Sequence, residues 1–175
     1  MTTNTSPSPV PASDNYHWKV FWAVGIALFA MVLDFSIVFL ALSSIADEFD
    51  VTLRAVTWVA ISTSLVTSAI MLPLGRVSDI TGRKKFHISG MVFFVAGALL
   101  AFTAQNLQML IVARVVMAIG ASMGQAVVFA IIVGTFPDTE RGKALGMITT
   151  MVAIGAAAGP IIAGPILKAF DWRAV

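Results

Sequence analysis

The stretch that decides the fold is GRVSDITGRKK, residues 75–85. It concentrates charge between two long apolar runs, although only 11% of the chain is charged. Its charged side chains are Arg76, Asp79, Arg83, Lys84 and Lys85. A short basic segment between two membrane-length runs is typical of a cytoplasmic loop in a multi-pass membrane protein. Gly75 and Gly82 lack a Cβ atom, so we expect both to permit a tight reversal of the chain.

The overall composition supports a membrane protein and excludes several other classes. Hydrophobic residues make up 58% of the chain, well above the roughly 45–50% of soluble domains. The absence of cysteine excludes disulfides and thiolate metal sites, and the two histidines lie far apart in sequence, so no metal site is predicted. The small net charge of +2 does not suggest nucleic acid as a partner.

Five apolar runs follow a polar amino-terminal segment. Residues 1–17 are rich in Ser, Thr, Pro and Asn and predict a disordered cytoplasmic tail. Each apolar run has about the 20 residues that a helix needs to cross roughly 30 Å of hydrocarbon. The predicted spans are 18–42, 57–74, 86–103, 109–134 and 144–167.

The distribution of lysine and arginine predicts the orientation in the membrane. With the amino terminus in the cytoplasm, the cytoplasmic segments hold more of these residues than the outer segments. The cytoplasmic set is Lys19, Arg76, Arg83, Lys84, Lys85, Arg141 and Lys143; the outer set is Arg54, Lys168 and Arg173. This orientation places residues 43–54 outside and residues 135–143 inside.

Two ionisable residues, Asp34 and Arg114, fall inside predicted spans. At 1.5 Å per residue, Asp34 lies about 12 Å and Arg114 about 8 Å below the outer ends of their helices. These depths agree within one helical turn, so the two side chains are expected to be able to pair. One interpretation is a polar pair that only locks two helices together. The other is a water-filled cavity in which Asp34 is a titratable or cation-binding carboxylate, because charges inside a membrane usually serve a function.

The fifth span is unusual because it combines small residues with two prolines. The sequence GAAAGPIIAGP contains Gly155, Gly159, Pro160, Gly164 and Pro165. Small residues at this spacing let another helix approach closely. The prolines remove backbone donors and favour a bend.

The segment 120–124, GASMG, formally matches a nucleophile motif built around Ser122. It lies in the middle of an apolar helix rather than at a strand-to-helix turn. The sequence therefore favours helix packing through Gly120 and Gly124, and no catalytic residue is predicted.

Several motifs in the correct order resemble those of the major facilitator superfamily, and most closely its fourteen-span drug:proton antiporters. GRVSDITGRKK is similar to the loop motif between the second and third helices, with Gly75, Asp79, Gly82 and Arg83 at matching positions. Arg141 is at a matching position in the partner loop between helices four and five. The remaining matches are Asp34 in the first-helix motif, Arg114 and Gly120 in the fourth, Gly155, Gly159, Pro160 and Gly164 in the antiporter motif, and residues 171–173 before helix six.

The chain also departs from these motifs at several positions. Phe39 and Ser43 stand where the first-helix motif usually has Asn and Pro. Met117 and Ala118 replace the usual Gln and Gly of the fourth helix, and Ala163 replaces a Gly of the antiporter motif.

This resemblance implies an all-α membrane fold. The expected unit is the N-terminal six-helix bundle, built from two inverted three-helix repeats, with residues 18–175 supplying five helices and stopping before helix six. Helices one and four would then be equivalent members of the two repeats.

The resemblance also implies a function. It points to a multi-pass protein of the plasma (inner) membrane that is a transporter rather than an enzyme, needs no cofactor and exports lipophilic or cationic small molecules in exchange for protons. Its partners would be substrate, protons, the lipid bilayer and the remaining helices of a longer protein. Asp34 and Arg114 would serve the cavity, and Asp79, Arg83 and Arg141 a cytoplasmic gate. The alternatives are a metabolite or sugar importer of the same superfamily and a truncated, non-transporting remnant.

Overall fold

Five long helices make up the part of the chain that the structure, a computed structural model, describes: residues 16–169. They are α1 (Tyr16–Glu48), α2 (Leu53–Thr81), α3 (Arg83–Phe102), α4 (Leu107–Thr135) and α5 (Asp138–Ala169). All five are long and apolar enough to cross a membrane, and residues 16–169 contain no β-strand. The prediction of an all-α membrane protein with five spanning helices is confirmed.

The predictions for the two ends of the chain fall mostly outside the described residues. Because α1 begins at Tyr16, the last two residues of the predicted tail are helical. The predicted disorder of residues 1–15 and the motif at 171–173 lie outside the described residues.

The helices extend beyond the predicted spans because hydropathy detects only the apolar part of a helix. α1 continues to Glu48, and α5 begins at Asp138 rather than at residue 144. Polar side chains fix two of the helix starts by accepting a hydrogen bond from a free backbone N–H. Thr52 Oγ1 accepts from the Ala55 N–H at 3.3 Å, and Asn106 Oδ1 accepts from the Met109 N–H at 2.8 Å.

The basic segment 75–85 reverses the chain through a single residue, Gly82. α2 continues to Thr81 and α3 begins at Arg83, so only Gly82 leaves the helical conformation, with a φ of 93°. L-residues rarely adopt this φ, which explains the glycine. Gly75 lies inside α2, where an added Cβ would meet nothing within 4 Å. The expectation that Gly75 contributes to the reversal is therefore wrong, because helical hydrogen bonding continues through the polar residues that follow it.

Close backbone packing joins α3 to α4. A Cβ on Gly90 would lie 2.8 Å from the carbonyl oxygen of Gly120, and a Cβ on Gly97 would lie 2.7 Å from the Met117 nitrogen. Such contacts let helices associate without a hydrophobic driving force between them. Gly124 faces the Met31 side chain of α1, and Ser122 Oγ donates to the Ala118 carbonyl at 2.7 Å. The GASMG segment is thus a packing segment, as predicted.

The helices enclose three clusters of buried apolar side chains, and the two larger ones lie one near each end of the bundle. α4 packs mainly against α2 and α3, whereas α1 packs mainly against α5. Near the Asn106 turn the first cluster includes Val38, Ile45, Val56, Val59 and Leu110. At the end that contains Phe136, the second includes Phe21, Leu28, Val128, Ile132 and Ile148. Asp34 lies along α1 between the residues that this helix contributes to these two larger clusters.

Candidate functional site

Asp34 of α1 and Arg114 of α4 form an ion pair between the two helices. Arg114 Nη1 donates to both carboxylate oxygens of Asp34, each at 3.0 Å. The Arg114 side chain is only 9% exposed and that of Asp34 is 21% exposed. The structure therefore brings together the two residues whose similar depths allowed them to pair.

The ion pair lies in the wall of a cavity of about 310 Å³ between α1, α2, α3 and α4. Apolar side chains from α1 and α4 form much of the wall, including Met31, Val32, Phe35, Met117 and Ala118. Polar side chains contribute the rest. They are Thr63, Ser64, Thr67 and Ser68 of α2 and Gln125 of α4. An apolar cavity with a few convergent polar groups is the usual form of a small-molecule site.

The hydroxyl residues of α2 were missed by the sequence analysis, although a signal was present. Thr63, Ser64, Thr67 and Ser68 occur as two adjacent pairs four residues apart, so they share one helical face. Two of the four hydroxyls already bond within α2, since Thr63 Oγ1 donates to the Val59 carbonyl and Ser64 Oγ to the Ala60 carbonyl. Each hydroxyl oxygen keeps acceptor capacity toward the cavity.

The cavity contains a carboxylate and a guanidinium, and the carboxylate does not accept hydrogen bonds from all the buried donors of the guanidinium. Arg114 Nε is buried and has no hydrogen-bond partner among the described residues. The partial exposure of Asp34 leaves its carboxylate accessible from the cavity. Chemically, such a carboxylate can keep its bond to Arg114, take up a proton, or accept a cationic group from a bound molecule.

A second ion pair lies at the Gly82 turn. Arg83 donates to Asp79 Oδ1 through Nε at 3.3 Å and through Nη2 at 3.2 Å. Arg83 Nη1 also donates to the Ala130 carbonyl of α4 at 3.2 Å, which ties the turn to the end of α4. Both side chains of this pair are well exposed.

Arg141, the third member of the expected gate, makes different contacts. Its Nε donates to the Phe136 carbonyl at 3.0 Å, and its guanidinium pairs with Asp138 in the first turn of α5. The structure therefore pairs Asp79 with Arg83, whereas Arg141 bonds to Phe136 and Asp138, near the connection between α4 and α5.

The small residues of α5 divide into two groups. A Cβ on Gly155 would lie 3.3 Å from Phe29 and Val32, and a Cβ on Gly159 would overlap Ser36, so both glycines contact α1. Ser36 Oγ donates to the Ala156 carbonyl at 2.8 Å across this contact. Pro160 is exposed inside α5, and an added Cβ on Gly164 would meet no atom within 4 Å. Close packing is thus observed for Gly155 and Gly159 but not for Gly164.

The described residues contain no group of three or more His, Asp or Glu side chains that could hold a metal ion.

Comparison with known proteins assigns the chain to a family of membrane proteins. Residues 24–175 match the Major Facilitator Superfamily. The chain belongs to this superfamily, and the resemblance inferred from its motifs is confirmed.

Individual relatives differ in what their names say they carry. The riboflavin transporter RibZ of Clostridioides difficile (strain 630) is 35% identical over 90% of this chain and 35% of the relative. Multidrug resistance protein 3 of Bacillus subtilis (strain 168) is 32% identical over 86% of this chain and 29% of the relative. The multidrug resistance protein Stp of Mycobacterium tuberculosis (strain ATCC 25618 / H37Rv) is 29% identical over 87% of this chain and 29% of the relative. The chain thus spans about a third of the length of these curated relatives.

Proposed function

We propose that this chain is the amino-terminal part of a proton-coupled transporter that exports lipophilic or cationic small molecules. The observation that carries the proposal is the Asp34–Arg114 ion pair in the wall of an otherwise largely apolar cavity. The names of the two multidrug resistance relatives support the same substrate class.

The proposed coupling follows from the charge balance of the pair. A charge near the middle of a span is costly unless it is paired or hydrated. When a cationic substrate enters the cavity and binds Asp34, it competes with Arg114 for the carboxylate. When a proton binds Asp34 instead, the carboxyl becomes neutral and its attraction to both cations falls. Proton and substrate therefore exclude each other at one carboxyl, which is what exchange requires.

Substitution of Asp34 by asparagine in the full-length protein tests this proposal. The asparagine side chain keeps a hydrogen-bonding group of nearly the same shape but neither titrates nor carries charge. We expect the export of a cationic dye to fall and its dependence on pH to flatten, at expression matched to the wild type. Asp47→Asn, which removes an exposed carboxylate near the other end of α1, is the matched control. An unchanged pH profile and dye affinity in the Asp34 variant would show that Asp34 is structural.

The Gly82 turn is proposed to act as a gate at the cytoplasmic surface. Asp79 and Arg83 pair across the turn, and Arg83 also holds the end of α4, so moving the turn away from α4 requires these bonds to break. Gly82 forms the turn, and Gly75 belongs to the same sequence motif. Arg141, near the connection between α4 and α5, would join the gate once the helices move.

The glycine-rich part of α5 is proposed as the place where two conformations exchange. Gly155 and Gly159 allow close contact with α1, while Pro160 lacks the backbone N–H of a regular helix. Gly164, where an added Cβ would meet nothing within 4 Å, would leave space for α5 to bend. Gly159→Leu, which forces a bulky side chain against Ser36, should slow dye export more than Gly164→Leu does. Equal export by the two variants would contradict this role for Gly159.

The proposed location is the plasma (inner) membrane, with the amino terminus and the Gly82 turn on the cytoplasmic side. Because the chain has no cysteine, single cysteines can be introduced at residues 47 and 139 and probed in intact cells with an impermeant thiol reagent. Labelling at 47 but not at 139 is expected, and the reverse pattern would overturn the orientation.

A second candidate function is transport of an uncharged metabolite of the riboflavin class, which the name of the 35% identical relative favours. Uptake of radiolabelled riboflavin by cells that make the full-length protein separates the two candidates. Riboflavin uptake without export of a cationic dye would favour this candidate over the exporter.

A further inference from the structure

Pro160 of α5 leaves one backbone carbonyl of its own helix without the usual donor. In an α-helix the N–H of each residue bonds to the carbonyl oxygen four residues earlier, and proline has no N–H. The carbonyl that Pro160 frees is that of Ala156. A helix that crosses hydrocarbon needs another donor for such a group, because the bilayer core offers no water to it.

A side chain from a neighbouring helix supplies that donor. Ser36 Oγ of α1 donates to the Ala156 carbonyl oxygen at 2.8 Å. The approach can be this close because residue 159 is a glycine, where an added Cβ would overlap Ser36. The glycine that precedes the proline therefore makes room for the hydroxyl that replaces the missing N–H.

The other prolines inside the described helices lack such a partner. Pro73 frees the Ala69 carbonyl of α2, and Pro165 frees the Ile161 carbonyl of α5. No described side chain donates a hydrogen bond to either carbonyl. A hydroxyl aligned with a freed carbonyl is therefore a particular feature of the contact between α1 and α5.

Ser36 also lies next to the cavity site without belonging to it. It follows Asp34 by two residues, which corresponds to about 3 Å along α1 and about 200° around it. Asp34 accordingly bonds to α4, whereas Ser36 bonds to α5. Ser36 is not among the residues that line the cavity around Asp34. α1 therefore connects the buried ion pair on one side to the proline of α5 on the other.

We propose that Ser36 is a positioning residue for α5, whose hydroxyl takes the place of the Pro160 N–H and holds this part of α5 against α1. The bond stabilises the observed conformation, because moving α5 away from α1 at this point leaves the Ala156 carbonyl without its donor. The role of Ser36 in transport rests on the proposed function of α5 as the place where two conformations exchange. The link between the hydrogen bond and Pro160 does not.

A double-mutant cycle between Ser36 and Pro160 tests the proposal in the full-length protein, purified in detergent. Ser36→Ala removes the donor, and Pro160→Ala restores the backbone N–H that makes this donor unnecessary. Hydrogen exchange followed by mass spectrometry reports how often the segment 156–164 opens. Because the Ala156 carbonyl is left unsatisfied, exchange in this segment should be about tenfold faster in Ser36→Ala. In the Pro160→Ala background the same substitution should change exchange less than about twofold.

Two further variants separate loss of the hydrogen bond from loss of packing. Ser36→Cys keeps nearly the same shape, but a thiol is a weaker donor, so exchange should rise by an intermediate amount. Ser89→Ala is the same substitution at a serine whose hydroxyl bonds within α3, to the Phe86 carbonyl, and it should leave exchange in the segment 156–164 unchanged. Circular dichroism and gel filtration check that each variant is folded. If Ser36→Ala does not fold, the cycle is measured with Ser36→Cys.

Export of a cationic dye tests the role in transport. Because Ser36 does not line the cavity, Ser36→Ala should lower the maximal rate about fivefold and change KM less than about twofold. A change in KM alone would indicate contact with the substrate and would contradict a positioning role.

Two exchange results would overturn the proposal. Equal acceleration by Ser36→Ala in both backgrounds would show that Ser36 only packs against α5. No acceleration in either background would show that the Ala156 carbonyl does not depend on Ser36. If the wild type exports no dye while exchange behaves as expected, the proposed function fails and the role of Ser36 in holding α5 is supported, so the two proposals can be judged separately.

Discussion

Two of the carboxylate–guanidinium pairs among residues 16–169, Asp34–Arg114 and Asp79–Arg83, differ in almost every physical respect. Asp34 and Arg114 are 80 residues apart, lie on different helices, and are only 21% and 9% exposed. Asp79 and Arg83 are four residues apart, flank one turn, and are 62% and 46% exposed. The distances are nearly the same, at 3.0 Å and 3.2 Å between nitrogen and oxygen.

Because the distances are so similar, the different contributions expected of the two pairs follow from burial. Water and salt screen the exposed pair, so its net contribution to stability is small. The buried pair has lost most of its water, and removing one partner leaves the other charge uncompensated. A buried pair can therefore hold helices together and respond strongly to a competing ligand, whereas an exposed pair is easily broken, as the proposed gate requires.

The largest expected effect is the loss of one partner of the buried pair. Arg114→Gln should lower the free energy of unfolding by about 3–5 kcal/mol, because Asp34 keeps its charge without a counter-ion. Adding Asp34→Asn should recover most of that loss, since both charges are then gone. Reversible unfolding in mixed micelles measures both values as a double-mutant cycle.

Arg76→Gln is the control for this cycle, since Arg76 is exposed on α2 and the substitution is the same. It should change the free energy of unfolding by less than about 0.5 kcal/mol. A double variant whose loss equals the sum of the two single losses would show that Asp34 and Arg114 do not act as a unit.

The next effect concerns the helix that carries Arg114. Gly120→Ala puts a Cβ against the backbone of Phe94 and Gly90 on α3, where no flexible side chain can yield. The loss expected from such overpacking is about 1–3 kcal/mol. Gly146→Ala is the control, because an added Cβ there meets nothing within 4 Å. If α3 holds α4 in place for the buried pair, the coupling of Asp34 to Arg114 should also fall in the Gly120 variant. Equal unfolding free energies for the two alanine variants would contradict this packing.

Much of the fold could be predicted because the membrane restricts it so strongly. A backbone in hydrocarbon must satisfy its own hydrogen bonds, so each long apolar run has to become a helix. Hydropathy does not register the polar continuation of a helix past the hydrocarbon, and for this reason Glu48 and Asp138 lie outside the predicted spans. It also does not show whether a glycine lies in a turn or a helix, and Gly75 was misassigned for that reason.

The similar depths of Asp34 and Arg114 allowed a pair, and a cavity around Asp34 was one of two interpretations, but the lining of that cavity could not be predicted. Asp34 and Arg114 are charged, so their presence inside a span is conspicuous. Thr63 and Ser64 bond to their own helix at little cost, so their contribution to a cavity depends on which face of α2 meets α1 and α4. That arrangement depends on contacts between residues distant in sequence, such as those that hold α3 against α4. Neither the hydropathy of the sequence nor its helical periodicity shows how the helices are arranged.

The smallest effect on stability is expected for the exposed pair, Asp79 and Arg83. There a substitution should reduce transport without reducing the free energy of unfolding. Asp79→Asn removes a charge that is 62% exposed, and an exposed pair of this spacing contributes only about 0.3–0.5 kcal/mol. The free energy of unfolding in micelles should therefore change little.

The same substitution weakens the charge-assisted hydrogen bonds that orient Arg83 toward the Ala130 carbonyl of α4. If those bonds hold the gate closed in one conformation, the initial rate of dye export by the full-length protein should fall at equal membrane abundance. Asp47→Asn, at an exposed carboxylate away from the turn, should leave the rate unchanged. Export that survives Asp79→Asn would mean that the turn only orients the protein in the membrane, and that the gate lies elsewhere.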